Sequence, residues 1–321
     1  MTRNLKKSFP CILCGGVRKD ILFFGYDRLY DMPGKFFVAR CVSCGLWQTV
    51  PQVSEKIMKR YYPSGNYYAY EDGTKRNFMA KVRTVWIRET SKKTISGKLL
   101  SLFFSVPGLP DLSKKGTIVD IGCGAGDTLH LLSECGWYTI GIEPDKKAAS
   151  FARKRHIGRV IADSYSAMKH MKNNSCDCIR FYSVLEHLNN PEKAIFYARR
   201  SLKKNGELII GIPNCDSFIA KVFGTYWYNL DLPRHLYHFS PQTIRKLLMN
   251  QEFSLISIQF ISAGGLLGSI DHFLRKRYGF RWSLVTQTWV FFVVYPIEWL
   301  LDHLQLGDMM VVRARKLNGL Q

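Results

Sequence analysis

The sequence predicts an α/β fold: a largely parallel sheet with helices on both faces, preceded by a small cysteine-pinned module and interrupted late by a helical insertion. Three observations carry this. From Thr117 onward, short apolar runs alternate with amphipathic stretches, which is the pattern of βαβ units. Ahead of that alternation stand two Cys-x-x-Cys pairs, Cys11/Cys14 and Cys41/Cys44. Finally, roughly 45 residues separate the last two apolar runs, too many for an ordinary connection.

The first unit, residues 1–50, is read as a zinc-binding module and residues 51–116 as a helical lid and linker. The linker ends in Pro107 to Gly116, a stretch broken by two prolines and two glycines. The main domain is 117–321, with an insertion at 263–307. Its strands are expected at 117–122, 138–143, 159–162, 177–182 and 207–212, then near 254–262 and 309–314. Helices are expected at 127–135, 145–155 and 191–202 and near 241–250. Cys176 and Cys178 share one strand face and read as core, and no internal repeat is present.

Composition narrows the class. The chain has 321 residues, 46% hydrophobic and 22% charged, which excludes a disordered or fibrous protein. Arg3, Lys6 and Lys7 precede no apolar stretch of signal-peptide length, so a cytoplasmic protein is expected, with its nine cysteines reduced. The balance of 46 Lys+Arg against 25 Asp+Glu, a formal charge of +21, implies an anionic partner: nucleic acid, an acidic membrane surface or a phosphorylated substrate. The bases cluster between Gly73 and Lys98 and again at Arg275, Lys276, Arg277 and Arg281. Either cluster alone is equally a solvated helix face.

The motif with the most chemistry is Asp120-Ile-Gly122-Cys-Gly124-Ala-Gly126-Asp127, a strand running into a glycine turn and then a helix. Glycines allow a sharp turn and close approach to a ligand, and the helix start offers free N–H groups. Glu143 follows Gly124 by nineteen residues, at the end of the next strand, where it can accept both hydroxyls of a ribose. The spacing is not the G-x-G-x-x-G of a dinucleotide site, and Asp127 is a poor neighbour for phosphate, so a nucleoside cofactor without phosphate is expected. The two cysteine pairs, each followed by glycine, suit one tetrahedral zinc ion. Four thiolates leave no open position, so Cys11, Cys14, Cys41 and Cys44 are assigned a structural role.

On these residues the chain resembles the class I S-adenosylmethionine-dependent methyltransferases from about Thr117 to Lys316. The resemblance implies their Rossmann-like sheet with an antiparallel final strand, and S-adenosylmethionine as cofactor. Asp120, Gly122, Gly124 and Gly126 match their first motif, Glu143 their ribose-binding acid and Asp163 the acid at the adenine amino group. Tyr182-Ser183-Val-Leu-Glu186-His187 matches the segment lining the methyl-transfer centre. Leu232-Pro-Arg234-His235-Leu-Tyr-His238 and the terminal Gly307 to Lys316 resemble the ubiquinone-type and polysaccharide-cluster branches. Cys41-Val-Ser-Cys44-Gly-Leu-Trp-Gln48 resembles the zinc module of sugar C-methyltransferases, and Tyr61 to Tyr70 the tyrosine-rich lid that follows it.

Methyl transfer to oxygen or carbon requires alignment, water exclusion and removal of a proton. His187 and His235 are the candidate bases, and Arg234 the candidate anchor for an acceptor phosphate or carboxylate. His238 reads rather as a histidine bonded to backbone. Glu186-His187 stands where some ubiquinone-type enzymes hold a divalent metal. Tyr67, Tyr68 and Tyr70 either cap the cofactor or pack in the core. Within the insertion, Trp282, Trp289, Tyr295 and Trp299 beside the basic cluster suggest a segment in a membrane interface, with a helical cap over the acceptor pocket as the alternative. The expected function is methyl transfer to a small or lipid- or nucleotide-linked anionic acceptor, such as a sugar in cell-surface polysaccharide assembly. Two rivals remain: an rRNA methyltransferase, against which no RNA-reading module is found, and a non-catalytic zinc-ribbon binding protein on the same scaffold.

Overall fold

The computed structural model describes residues 10–62, 108–155, 158–262, 264–280 and 288–317. Tyr67, Tyr68, Tyr70, the basic stretch 73–98, Arg281 and Trp282 lie outside these residues.

The cysteine pairs frame an antiparallel meander of β1 (Lys19–Gly25), β2 (Phe36–Cys41) and β3 (Trp47–Val50), followed by a single helical turn, α1 (Glu55–Met58). The main domain then runs β4 (Thr117–Ile121), α2 (Asp127–Glu134), β5 (Tyr138–Ile142), α3 (Lys146–Lys154), β6 (Arg159–Ile161), β7 (Cys176–Tyr182), α4 (Pro191–Ser201) and β8 (Leu202–Pro213). It closes with α5 (Phe218–Phe223), β9 (Tyr237–His238), α6 (Pro241–Asn250), β10 (Phe253–Ile261), α7 (Gly265–Tyr278), α8 (Thr288–His303) and β11 (Met309–Lys316).

Seven strands form one sheet in the order β10-β11-β8-β7-β4-β5-β6. Strands β4 to β8 are mutually parallel, while β11 runs antiparallel to both β8 and β10. The Rossmann-like sheet with a reversed final strand is therefore present. Its central strands are apolar on both faces because helices cover both: Ile118, Val119, Ile179, Phe181, Ile209 and Ile210 are all fully buried. Each such side chain contributes about 1.5–3 kcal/mol on burial. Cys176 and Cys178 are buried in this core as expected.

The helices start where local chemistry dictates. Asp145 accepts from the Ala148 N–H at 2.8 Å to cap α3, and Asn190 from Lys193 N–H at 2.9 Å to cap α4, which has Pro191 in its first turn. Ser240 and Thr243 form a capping box on α6. Ala148, Ala149 and Ala152 give α3 a small buried face that lets it lie close to the sheet.

Two long-range links tie the cysteine module to the main domain. β9 pairs with β3, with Trp47 opposite His238 and Gln48 opposite Tyr237, so the segment after β8 becomes the fourth strand of the N-terminal sheet. The Thr49 N–H donates to Leu236 O at 3.0 Å beside it. The end of the expected linker is also held: Arg180 Nε donates to Gly108 O at 2.8 Å, and Leu109 is buried. In the insertion, α7 and α8 pack through Leu267, Val290 and Val294. No described helix is long and apolar enough to cross a membrane.

Candidate active site

The glycine turn leaves β4 with Gly122, Gly124 and Gly126 at φ of 70°, 56° and 82°, a left-handed path that side chains resist. At Gly122 a Cβ would also lie 2.4 Å from Val184 Cγ2, because the exit of β7 passes directly behind the turn. Glu143 closes the turn from the end of β5. Its Oε2 accepts from the Gly124 N–H and its Oε1 from the Asp145 N–H, both at 2.9 Å. Burial pushes this carboxyl up, opposed by those two N–H donors. A carboxylate has about four acceptor positions, so each oxygen retains one for a ribose hydroxyl. Asp163 stands exposed at the exit of β6, its Oδ1 accepting from Ser164 N–H at 2.7 Å.

Asp120 has a different place from the one expected. It is buried, and both its oxygens face Arg180 Nη1, at 2.8 and 3.0 Å. The Arg180 guanidinium in turn lies 4.5 Å from the Tyr182 ring centroid. Asp120 thus braces the strand end below the turn, because its carboxylate is committed to a buried ion pair. Tyr182 is half-buried against Gly211 and Gly108, where a Cβ would sit 2.4 and 2.5 Å from its ring. Ser183 is exposed at the margin of the turn with φ 54°, a conformation uncommon for a non-glycine residue.

Immediately after β7, the turn Leu185–His187 presents Glu186 and His187 to His235. The two imidazoles meet edge to face at 4.6 Å. His187 Nδ1 lies 3.1 Å from Arg234 O and 3.0 Å from Tyr62 Oη; His235 Nδ1 lies 2.8 Å from Asn229 O. A carbonyl only accepts, so both Nδ1 atoms are assigned the proton and both Nε2 atoms a lone pair. Burial lowers His187 to about 3 and His235 to about 4, so both rings are neutral at pH 7. Glu186 is 1% exposed, neither of its oxygens has a hydrogen-bond partner among the described residues, and burial raises it to about 8. One ligand atom from each of Glu186, His187 and His235 lies within 4.8 Å of the others, a donor set that a divalent cation would satisfy. His238 is buried in β9, and its Nε2 lies 3.1 Å from Thr49 Oγ1, a side-chain partner in place of the backbone one expected.

Arg234 corrects the expectation that it meets the acceptor. Its side chain is 0% exposed. Nη2 and Nη1 reach Asp27 at 2.7 and 3.1 Å, Nε and Nη2 reach Asp231 at 2.9 and 2.5 Å, and Nη1 also reaches Tyr61 O at 2.9 Å. With its donors consumed inside the protein it is a positioning residue, fixing the His235 loop against the N-terminal module. Asp27, Asp231 and Asn229 are not singled out in the sequence, whereas Tyr62 belongs to its tyrosine-rich segment. Only Asp231, three residues before Arg234, carried a local signal.

The four cysteines converge as expected: Cys11 and Cys44 Sγ are 3.5 Å apart, as are Cys14 and Cys41 Sγ, and all four lie within 4.8 Å. Tetrahedral zinc–thiolate bonds place sulfurs about 3.8 Å apart, close to this arrangement. Both pairs turn alike: Gly15 N–H donates to Cys11 O at 2.7 Å and Gly45 N–H to Cys41 O at 2.9 Å, each glycine at positive φ. Burial raises the Cys41 thiol, but the N–H groups of Cys44 and Ser43 outweigh it and bring it down to about 7. The donor set fits a closed structural zinc site.

A doubly wound sheet, a glycine turn at its switch point and an acid on the adjacent strand define an α/β protein of the class that carries its ligand site at the switch point. A methyltransferase domain family matches residues 90–258, more than half of the chain, and the chain belongs to that family. It is 35% identical to an uncharacterised protein of Methanocaldococcus jannaschii over 109 residues, 34% of this chain and 50% of that protein. It is 22% identical over 165 residues to a ubiquinone biosynthesis O-methyltransferase of Cupriavidus pinatubonensis, 48% of this chain and 66% of that protein. The chain thus spans about half to two thirds of the length of these relatives. Among solved structures, an O-methyltransferase from a Brevibacillus brevis polyketide synthase, in complex with S-adenosylhomocysteine, aligns with TM-score 0.47 and 14% identity, covering 76% of this chain and 75% of that one.

Proposed function

We propose that this chain is an S-adenosylmethionine-dependent methyltransferase acting on an oxygen or carbon of a small or lipid- or nucleotide-linked anionic acceptor, with a sugar of cell-surface polysaccharide assembly as the candidate. The observation that carries the reading is Glu143, whose carboxylate is held by the Gly124 amide at the glycine turn. When bound, S-adenosylmethionine supplies an electrophilic methyl group. Glu143 holds the ribose hydroxyls, Asp163 faces the adenine edge, and Tyr182 and Ser183 line the margin nearest the acceptor. His187 and His235, neutral and each with a lone pair at Nε2, are the atoms available to take the acceptor's proton. With Glu186 they are alternatively the ligands of a divalent cation that orients the acceptor. The four cysteines hold structural zinc.

The insertion supports a peripheral membrane contact. On α8 and the residue after it, Val293, Ile297, Leu300 and Leu304 recur at helical spacing, all about half or more exposed. At the exposed end of α7, Arg275 pairs with Asp271 at 3.0 Å and Lys276 with Asp31 at 2.7 Å, so Arg277 is the base that adds charge for an anionic lipid surface to meet. Such a contact would bring the enzyme to a lipid-linked acceptor.

The test is transfer of a labelled methyl group from S-adenosylmethionine to fractionated cell material. Label is expected in the envelope glycan or lipid-linked fraction, and lower by roughly 100-fold or more with His187→Ala or His235→Ala if either is the base. Label found in rRNA alone would replace this acceptor class with RNA.

A further inference from the structure

Thr49 belongs to the cysteine module but is bonded to the segment that carries His235. It lies fully buried on β3 and reaches across with both main chain and side chain. Its N–H donates to Leu236 O at 3.0 Å and its Oγ1 to His235 O at 2.6 Å. From the other side, the Leu236 N–H donates to Glu186 O at 2.8 Å. The His235–Leu236 peptide is therefore clamped between Thr49 and the Leu185–His187 turn, and the clamp sets where the His235 ring stands against that of His187.

The protons in this clamp follow from its acceptors. A hydroxyl has one proton and two lone pairs, and a carbonyl oxygen only accepts. The Thr49 proton is thus committed to His235 O, and toward His238 Nε2, 3.1 Å away, Oγ1 acts only as acceptor. His238 is 1% exposed and burial lowers it to about 3, so its ring is neutral at pH 7 and carries its one proton at Nε2. Its Nδ1, which has no hydrogen-bond partner among the described residues, keeps the lone pair. His235 takes the opposite tautomer. Its Nδ1–H donates to Asn229 O at 2.8 Å and its main-chain N–H to Asp231 O at 3.0 Å, which leaves Nε2 facing Glu186 Oε1 and Asp231 Oδ2 at 4.0 and 3.8 Å.

We infer that Thr49 is a positioning residue of the transfer site: its hydroxyl holds the His235 carbonyl, and with it the direction of the Nε2 lone pair, while pinning His238 as the Nε2–H tautomer. The inference rests on the methyltransferase reading, in which His235 is a candidate base, and deepens it. The cysteine module then serves turnover through one hydroxyl that aims the base. Misplacing a reacting group by about 1 Å costs on the order of 100-fold in rate, so exchanging that hydroxyl for a methyl group has a kinetic reading.

The experiment compares the full chain as wild type, as Thr49→Val, which keeps the side chain's shape and removes the hydroxyl, and as Thr49→Ser, which restores it. Nitrogen NMR reads the histidine tautomers, with His235→Gln and His238→Gln for assignment. Label transfer from S-adenosylmethionine to fractionated cell material reads turnover, and S-adenosylhomocysteine titration with zinc content is the control for folding. Wild type and Thr49→Ser should show His238 protonated at Nε2 and His235 at Nδ1. Thr49→Val should lose the Nε2–H signature of His238 and transfer label about tenfold or more slowly, with wild-type S-adenosylhomocysteine affinity, while Thr49→Ser stays within about threefold of wild type. His238 protonated at Nδ1 in wild type, a measurement that needs no variant to fold, overturns the inference. So does undiminished transfer by Thr49→Val, or a loss in Thr49→Ser as large as that in Thr49→Val, and either leaves the methyltransferase reading standing. Wild type that binds no S-adenosylhomocysteine and labels no fraction overturns the methyltransferase reading, and with it the role of Thr49 in transfer, whatever the tautomers.

Discussion

Arg234 and Asp27 stand 207 positions apart and form a two-pronged ion pair, 2.7 and 3.1 Å, with both side chains fully buried. Asp27 lies in the loop after β1 and Arg234 just ahead of β9, so the pair locks the cysteine module onto the segment that carries His235. Breaking a buried pair from one side leaves an uncompensated charge and costs about 3–5 kcal/mol. Arg234→Met, which strands both Asp27 and Asp231, should therefore lower the free energy of unfolding in urea by that amount. A loss below about 1 kcal/mol would mean that the pair is not what holds the two parts together.

The same cluster should make the protein acid-sensitive. Burial raises the Asp231 carboxyl, but the charges of Arg234 and then His235 outweigh it, and its net position is below the ordinary 3.8. A group depressed on folding contributes stability that is complete above its unfolded value and lost as pH falls below that value toward the folded one. The contribution of Asp231 should therefore decline as pH drops below about 3.8, and Asp231→Asn should remove that part of the slope. A variant with an unchanged slope would assign acid lability to other groups.

Metal removal tests the cysteine module. Native mass spectrometry should find about one zinc per chain, and zinc coordination of this kind is coupled to folding with roughly 10–16 kcal/mol of apparent binding free energy. Because β3 pairs with β9, chelation or Cys41→Ser should loosen residues 235–238 as well as residues 10–50, read as faster amide exchange at both. Metal-free protein with wild-type exchange at both sites would refute a structural zinc.

The apolar face of α8 predicts cosedimentation with liposomes containing acidic lipid, weakened by salt and further reduced by changing Val293, Ile297 and Leu300 to Ser. Each base near an acidic surface adds about 1 kcal/mol at moderate salt, so replacing Arg277, beside the paired Arg275 and Lys276, should weaken binding by about that much independently of the apolar changes. Failure of the wild-type protein to sediment would leave α7 and α8 as a cap over the site.

The parts of the molecule legible in its sequence were those written in local spacing. Strand alternation from Thr117 gave the sheet, the glycines with Glu143 gave the turn, and two Cys-x-x-Cys pairs gave the four-thiol cluster. What could not be read was contact between residues far apart in sequence. Asp27 lies among polar loop residues with nothing local to mark it, and the two-residue strand Tyr237–His238 is too short for a periodicity to register. Arg234 was misread for the same reason: beside His235 it resembles a substrate anchor, and only the approach of Asp27 and Tyr61 O reveals that its donors are spent. Asp120 sits on a motif that points to the cofactor, while its partner Arg180 lies on a neighbouring strand sixty residues later.

The most direct test of the account is calorimetric titration of the full chain with S-adenosylmethionine, wild type against Glu143→Ala. The account predicts one site in wild type, no measurable binding of NAD, and a weakening in the variant of about 10- to 150-fold, the equivalent of about 1.5–3 kcal/mol for hydrogen bonds to a charged group. Binding of NAD in place of S-adenosylmethionine, or S-adenosylmethionine affinity unchanged by Glu143→Ala, would contradict it.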